Sequence, residues 1–341
     1  MLVNFPYRIL VEKSVKDNIK DVLLAMKLGK KCAIICSKNT QQLIGTEIKE
    51  AVSGSFNVEI IEPESIEKKS IEELSKKIKA FDFVIGIGGG KTIDIAKYSS
   101  FLANKPWIAF PTVLSHDGVV SSMARLNYDG NRISVNAVEP VAIIADLDTI
   151  KKASYKFIAA GAGDLISNIA AVEDWEIAAK KGAEKYHTVM AELSLLSAKC
   201  VMEHADDIKN KTYHGMEILL WSLICSGFAM NIYGSSRPCS GSEHNFSHVL
   251  DSLKAGALHG EQVALGTIIM TYLQGGDWKA IKKILVKLGL PTNSKEIGIE
   301  KKKLVKALVN ARSVRDRYTI LNEKKIDEKS AETLLKTLGI V

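Results

Sequence analysis

Phe81–Ser100 reads "FDFVIGIGGGKTIDIAKYSS", an apolar run that ends in glycines and then takes on a helical pattern. Its Gly90-Lys91-Thr92 imitates a nucleoside-triphosphate loop. That motif needs a glycine five residues before Gly90, where Ile85 stands. Read from Gly86 as a dinucleotide fingerprint, the spacing gives Gly86 and Gly88 but Lys91 in place of the third glycine. What remains is a buried strand running into a helix expected to begin near Thr92. Glycines at such a junction let backbone amides approach a ligand, and the helix N-terminus favours anionic oxygens. A pyrophosphate fits that arrangement.

Outward from this turn the chain alternates. Short apolar runs at 30–37, 56–63, 82–88, 106–112 and 141–147 are separated by helical patterns at 39–53, 64–80 and 92–103. This order predicts a mostly parallel sheet with helices on both faces, with ligands beyond the carboxyl ends of the strands. From about Tyr155 the strand signals stop and long helical patterns take over. The expected organisation is therefore an α/β cofactor domain over 1–152 and an all-helical domain over 153–341, with the active site in the cleft between them. The segment "GMEILLWSLICSGFAMNIYG" is apolar on nearly every side, as a helix buried all round should be.

With 341 residues, 46% of them hydrophobic and 25% charged, the composition is that of a soluble globular protein. The net charge of +7 is carried by lysines interleaved with glutamates, as in "SIEKKSIEELSKKIKA", which argues for solvated helix faces and against a nucleic-acid track. The opening "MLVNFPYRIL" has no leader pattern, and no membrane insertion is expected. Five cysteines without a paired spacing suggest reduced thiols and a cytoplasmic location. The apolar helices near 216–234 and 262–274 suggest a homo-oligomer.

Three segments of the helical half carry potential metal ligands: "AAGAGDLISN" with Asp164, "SRPCSGSEHNFSH" with His244 and His248, and "GALHGEQVALG" with His259. Asp164 is expected at a helix start, aimed by a glycine turn. His244 and His248 are four apart and share a helix face, and His259 opens another helix. Two histidines and an aspartate leave coordination positions open, as a catalytic zinc requires. Of the remaining histidines, His187, His204 and His214 read as ordinary core or surface residues, and His116 is set apart only by preceding Asp117. Arginine is scarce, with seven in the chain, so Arg237 in "YGSSRPCSGSEH" stands out as a candidate phosphate anchor. After the strand "CAIIC" comes Ser37-Lys38-Asn39-Thr40 with no local carboxylate, which leans toward NADP over NAD.

"GGGKTIDIAK" resembles the cofactor motif of the superfamily that contains glycerol dehydrogenases, iron-containing alcohol dehydrogenases and dehydroquinate synthases. "FPTVLSHDGVVSS", "GD", "GSEHNFSH" and "HGEQV" are similar, nearly residue for residue and in the same order, to segments of the archaeal glycerol-1-phosphate dehydrogenases. The resemblance spans nearly the whole chain. It implies NAD(P) contacts at Ser37, Gly88, Gly89, Gly90, Lys91, Thr92, Asp94, Thr112, Val113, Leu114, Ser115 and Ser121. It implies zinc ligands Asp164, His244 and His259, with His248 and Asp117 facing the substrate and Glu243 and Glu261 orienting the ligand histidines. The implied reaction is the reduction of dihydroxyacetone phosphate to sn-glycerol 1-phosphate, which enters ether lipids. A glycerol dehydrogenase of free polyols and a dehydroquinate synthase-like enzyme are the alternatives, although the synthases carry glutamate where Asp164 stands.

Overall fold

The structure, a computed structural model, describes residues 5–341, so the first four residues of the stretch searched for a leader lie outside it. The chain divides into two compact units. One runs up to Leu114 and resumes over Gly118–Ser154; the other takes Ser115–Asp117 and Tyr155–Val341.

The first unit is built on a six-stranded parallel sheet. In chain order its strands are β1 (Arg8–Glu12), β2 (Lys31–Ile35), β3 (Asn57–Ile61), β4 (Phe83–Gly88), β5 (Trp107–Pro111) and, after an inserted pair, β8 (Ala142–Asp146). The spatial order is β1-β8-β5-β4-β2-β3. Strands β4, β5 and β8 are buried along their whole length, as expected of central parallel strands covered on both faces. After β3 the chain returns to the opposite side of β2, so the order reverses between β2 and β4. In open α/β sheets the crevice at such a reversal is where ligands sit. The glycine turn follows β4, and Ser37 lies just beyond β2.

Two elements were not anticipated from the sequence. "RILVE" forms the edge strand β1, held parallel to β8. Between β5 and β8, β6 (Met123–Tyr128) and β7 (Asn131–Asn136) make a separate antiparallel hairpin turning at Asp129-Gly130, both with positive φ.

The second unit is helical apart from its irregular connections. Its long helix Tyr213–Tyr233 has the length and apolarity to cross a bilayer, but 67% of its most apolar window is buried within the fold. It is capped by the Thr212 side chain at one end and ends at Gly234 in the left-handed region. The five cysteines are all free thiols.

Candidate active site

The glycine turn is shaped by steric necessity. Gly89 is the extended residue before the helix Gly90–Ala103, which starts two residues earlier than the sequence suggests. A Cβ on Gly86 would lie 2.5 Å from the Cβ of Ala96, and one on Gly88 would lie 2.7 Å from Thr92. Glycine at both positions lets the helix come down onto β4. A Cβ on Gly89 would meet nothing nearer than Val113 at 3.7 Å, so its backbone stays open to a ligand. The first amides of the helix lack partners within it and carry the positive end of its dipole.

Asp94 sits one turn into that helix and is 3% exposed. Its carboxylate accepts from the amide of Arg125 at 3.2 Å and lies 3.5 Å from Nζ of Lys97. Lys97 is wholly buried and donates to the carbonyls of Gly118 (2.5 Å) and Met123 (2.6 Å). The pair thus ties the glycine helix to the chain after the second glycine-containing loop, and Thr112 N donates to the Gly88 carbonyl at 3.0 Å. Of that loop, Thr112 and Ser121 are buried while Val113 and Ser115 are half-exposed.

At the end of β2, Ser37 caps a short helix by accepting from the Thr40 amide. A carboxylate does stand here, contrary to the reading of the sequence. Glu62, just past β3, accepts from the Lys38 amide at 3.1 Å. Burial and then the charge of Glu62 push the Cys36 thiol up to about 11.

In the helical unit, the three candidate ligands converge. Nε2 of His244 and Nε2 of His259 lie 3.6 Å and 3.7 Å from Oδ1 of Asp164. One donor atom from each of the three residues falls within 4.8 Å of the others. A tetrahedral zinc with bonds of 2.0–2.1 Å separates its donors by about 3.4 Å, so the set needs little movement to close on a cation. The supporting shell fixes which nitrogen faces the centre. Oε1 of Glu243 takes Nδ1 of His244 at 2.6 Å. Ser247 donates to Oε1 of Gln262 at 2.7 Å, which leaves its oxygen to accept from Nδ1 of His259 at 3.0 Å. Burial disfavours a charged His244, but the carboxylates of Asp164 and Glu243 outweigh it and push the ring up to about 8.

The backbone explains the convergence. His244 lies in the helix Ser242–Ser252 and His259 opens His259–Leu273. Asp174, fully buried, accepts from the Ser242 amide at 2.6 Å and from the Ile320 amide at 2.8 Å. Burial and then Glu243 push its carboxyl up to about 6. A Cβ on Gly241 would lie 2.6 Å from Asp174 Oδ2 and 2.8 Å from Glu243 Oε2, so a side chain there would break this anchor.

The family model for iron-containing alcohol dehydrogenases matches residues 11–154. A glycerol-1-phosphate dehydrogenase [NAD(P)+] of Thermococcus sibiricus is 40% identical over all of this chain and 98% of its own length. The corresponding protein of Staphylothermus marinus is 42% identical over 99% of this chain and 98% of its own. The chain belongs to the glycerol-1-phosphate dehydrogenase family. The solved glycerol dehydrogenase of Schizosaccharomyces pombe shares the fold, with a TM-score of 0.81 at 19% identity over 99% of this chain and 90% of that one.

Several residues are placed differently from what the sequence suggested. Asp164 is in the last turn of the helix Tyr155–Ile166, not at a helix start. Glu261 does not orient His259; it accepts from the Leu258 amide at 2.8 Å and pairs with Lys156 at 3.5 Å. Arg237 is 1% exposed, with Nε 2.7 Å from Glu184 and Nη2 donating to the carbonyls of Asp174 and Tyr318. Its Nη1 has no hydrogen bond and no contact with solvent, so the guanidinium braces the fold where a phosphate anchor was expected. His248 lies on the same helix as His244, its ring 6.4 Å from those of both His244 and His259. The amide of Asp117 donates to Oδ2 of Asp164 at 3.3 Å, and its carboxylate accepts from Ser226 at 3.0 Å. Ser226, Ser247 and Lys97 escaped the sequence reading. So did Arg315, which donates to the side chains of Asn245 at 2.8 Å and Ser240 at 3.0 Å beside the His244 helix. Scarcity of arginine pointed to Arg315 as strongly as to Arg237.

Proposed function

We propose that the protein reduces dihydroxyacetone phosphate to sn-glycerol 1-phosphate with NADPH or NADH, with one zinc held by Asp164, His244 and His259. The observation that carries this reading is the convergence of those three side chains, with one donor atom from each within 4.8 Å of the others, in a chain of this family. When bound, the cation supplies Lewis-acid polarisation of the ketone and the reduced nicotinamide supplies the hydride.

The chain's own residues do the rest. Glu243 and the Ser247–Gln262 relay hold each imidazole in the tautomer that presents Nε2 inward. Asp117, fixed by Asp164 and Ser226, offers a carboxylate to a substrate hydroxyl. His248 is in range of the same centre and supplies the proton to the forming alcohol. The glycine turn from Gly88 to Thr92, with Asp94 and Lys97 bracing it, receives the pyrophosphate. Thr112–Ser115 and Ser121 contribute the remaining cofactor contacts. A cytoplasmic location and a homo-oligomer complete the proposal; exposed Val189, Leu196 and Trp221 on the helical unit would meet a second copy.

One observation favours a second reading: with Arg237 engaged internally, a phosphate has lost its expected anchor, which suits an enzyme of free polyols. Oxidation of NADPH and NADH with dihydroxyacetone phosphate, against dihydroxyacetone, separates the two. Turnover confined to the phosphate ester supports the proposal. Preference for dihydroxyacetone moves the protein to the polyol dehydrogenases.

A further inference from the structure

Three residues outside every motif form a second donor cluster at a junction of helices. His204 closes the helix Thr188–Glu203 and precedes the short helix Ala205–Lys209, which contains Asp207. His214 lies in the first turn of Tyr213–Tyr233. One donor atom from each lies within 4.8 Å of the other two, with Nδ1 of His204 3.8 Å from Oδ2 of Asp207. The two rings meet edge to face at 5.0 Å.

The backbone beneath them is fixed. Thr212 Oγ1 accepts from the Gly215 amide and donates to Oδ1 of Asp207, both at 2.9 Å, which leaves Oδ2 turned toward His204. The Thr212 amide also donates to the Asp207 carbonyl at 3.0 Å. A Cβ on Gly215 would lie 2.3 Å from the carbonyl carbon of Asp207, so glycine is what lets the long helix start this close. Thr212 stands to Asp207 as Glu243 stands to His244: a hydrogen bond that orients a potential ligand.

We propose that His204, Asp207 and His214 form a second divalent-cation site, distinct from the Asp164 cluster, that clamps three helices together. Two imidazoles and one carboxylate suit zinc, cobalt, nickel or copper; calcium and magnesium prefer an all-oxygen shell. Closing the 3.8 Å pair to the roughly 3.4 Å of a tetrahedral site asks for a shift of about 0.4 Å, within the freedom of partly exposed side chains. Since His214 is exposed, water completes the coordination. Such a site is structural: it binds the folded junction and not the unfolded chain, so the cation raises the melting temperature.

The test is the zinc stoichiometry of the full-length protein, by elemental analysis after equilibration with buffered free zinc, for wild type and His204→Ala/His214→Ala. The expected result is two equivalents for wild type and one for the double variant, with turnover retained and the zinc-dependent rise in Tm reduced. The same zinc content in wild type and the double variant overturns the proposal. Should the double variant fold poorly, Asp207→Asn with His214→Gln gives the same reading, because both keep the hydrogen-bonding shape of the junction. Failure of the Asp164 site would abolish turnover without touching this stoichiometric difference, so the two outcomes remain separable.

Discussion

Gly163 and Gly260 face each other so closely that a Cβ on Gly163 would lie 2.6 Å from the Gly260 carbonyl oxygen. A Cβ on Gly260 would lie 1.9 Å from the carbonyl of Ala160. This contact packs the helix ending at Ile166 against the one opening at His259, and each glycine is the chain neighbour of a proposed zinc ligand. Backbone proximity at this crossing is what places Asp164 and His259 3.7 Å apart.

Gly260→Ala is therefore expected to lower stability by about 1–3 kcal/mol through overpacking and to weaken zinc binding with it. Denaturant midpoints and zinc titration on the same preparation check this. A variant as stable as wild type with undiminished zinc affinity would show that the crossing does not set the site.

Lys97→Ala leaves the buried Asp94 carboxylate without its cation and two carbonyls without a donor. Breaking a buried pair of this kind costs about 3–5 kcal/mol. Urea denaturation reads the loss directly. The Michaelis constant for NAD(P)H should rise at the same time, since the helix that follows the glycine turn loses its brace.

Much of the first unit was legible because its signals are local. The apolar run, the glycines and the helix after them each announce themselves within a few residues, and β4 with its turn lies close to where "DFVIGIGGG" suggested. The errors arose where one residue's meaning depends on a distant one. The glycines before Asp164 read as a turn, but they serve a helix crossing whose partner, Gly260, is nearly a hundred residues on. No spacing rule reveals that Glu184 and two carbonyls occupy Arg237. The lone edge strand β1 exists because β8 pairs with it.

The lean toward NADP failed to see Glu62, because the acid at the end of β2 is delivered by the next strand. Its charge near Lys38 should repel a 2′-phosphate. Glu62→Gln is expected to raise the ratio of kcat/KM for NADPH over NADH by about two- to fivefold, the scale of one exposed charge. The gain should shrink at high salt. An unchanged ratio would remove Glu62 from cofactor discrimination.

His244 gives the metal-free protein a pH signature. Its folded-state pKa of about 8 lies above the ordinary 6.5, so its stabilising contribution is complete below pH 6.5 and is lost as pH rises toward 8. The loss is about 2 kcal/mol, visible as a falling Tm of zinc-free protein across that window. Zinc binding runs the opposite way, because the ligand nitrogen must be deprotonated: affinity should fall about tenfold per pH unit below 8. Glu243→Ala should shift this dependence to lower pH and weaken zinc about 10–100-fold by removing the Nδ1 partner.

The most direct test of the central claim follows turnover and metal together. NADPH oxidation with dihydroxyacetone phosphate would be measured on wild type and Asp164→Asn as purified, after exhaustive chelation, and during stepwise zinc return, with bound zinc determined at each step. The account predicts that activity disappears on chelation and recovers in wild type as one tightly bound equivalent returns. Asp164→Asn should stay inactive and lack that equivalent. Full turnover by chelated protein with no bound metal would contradict it.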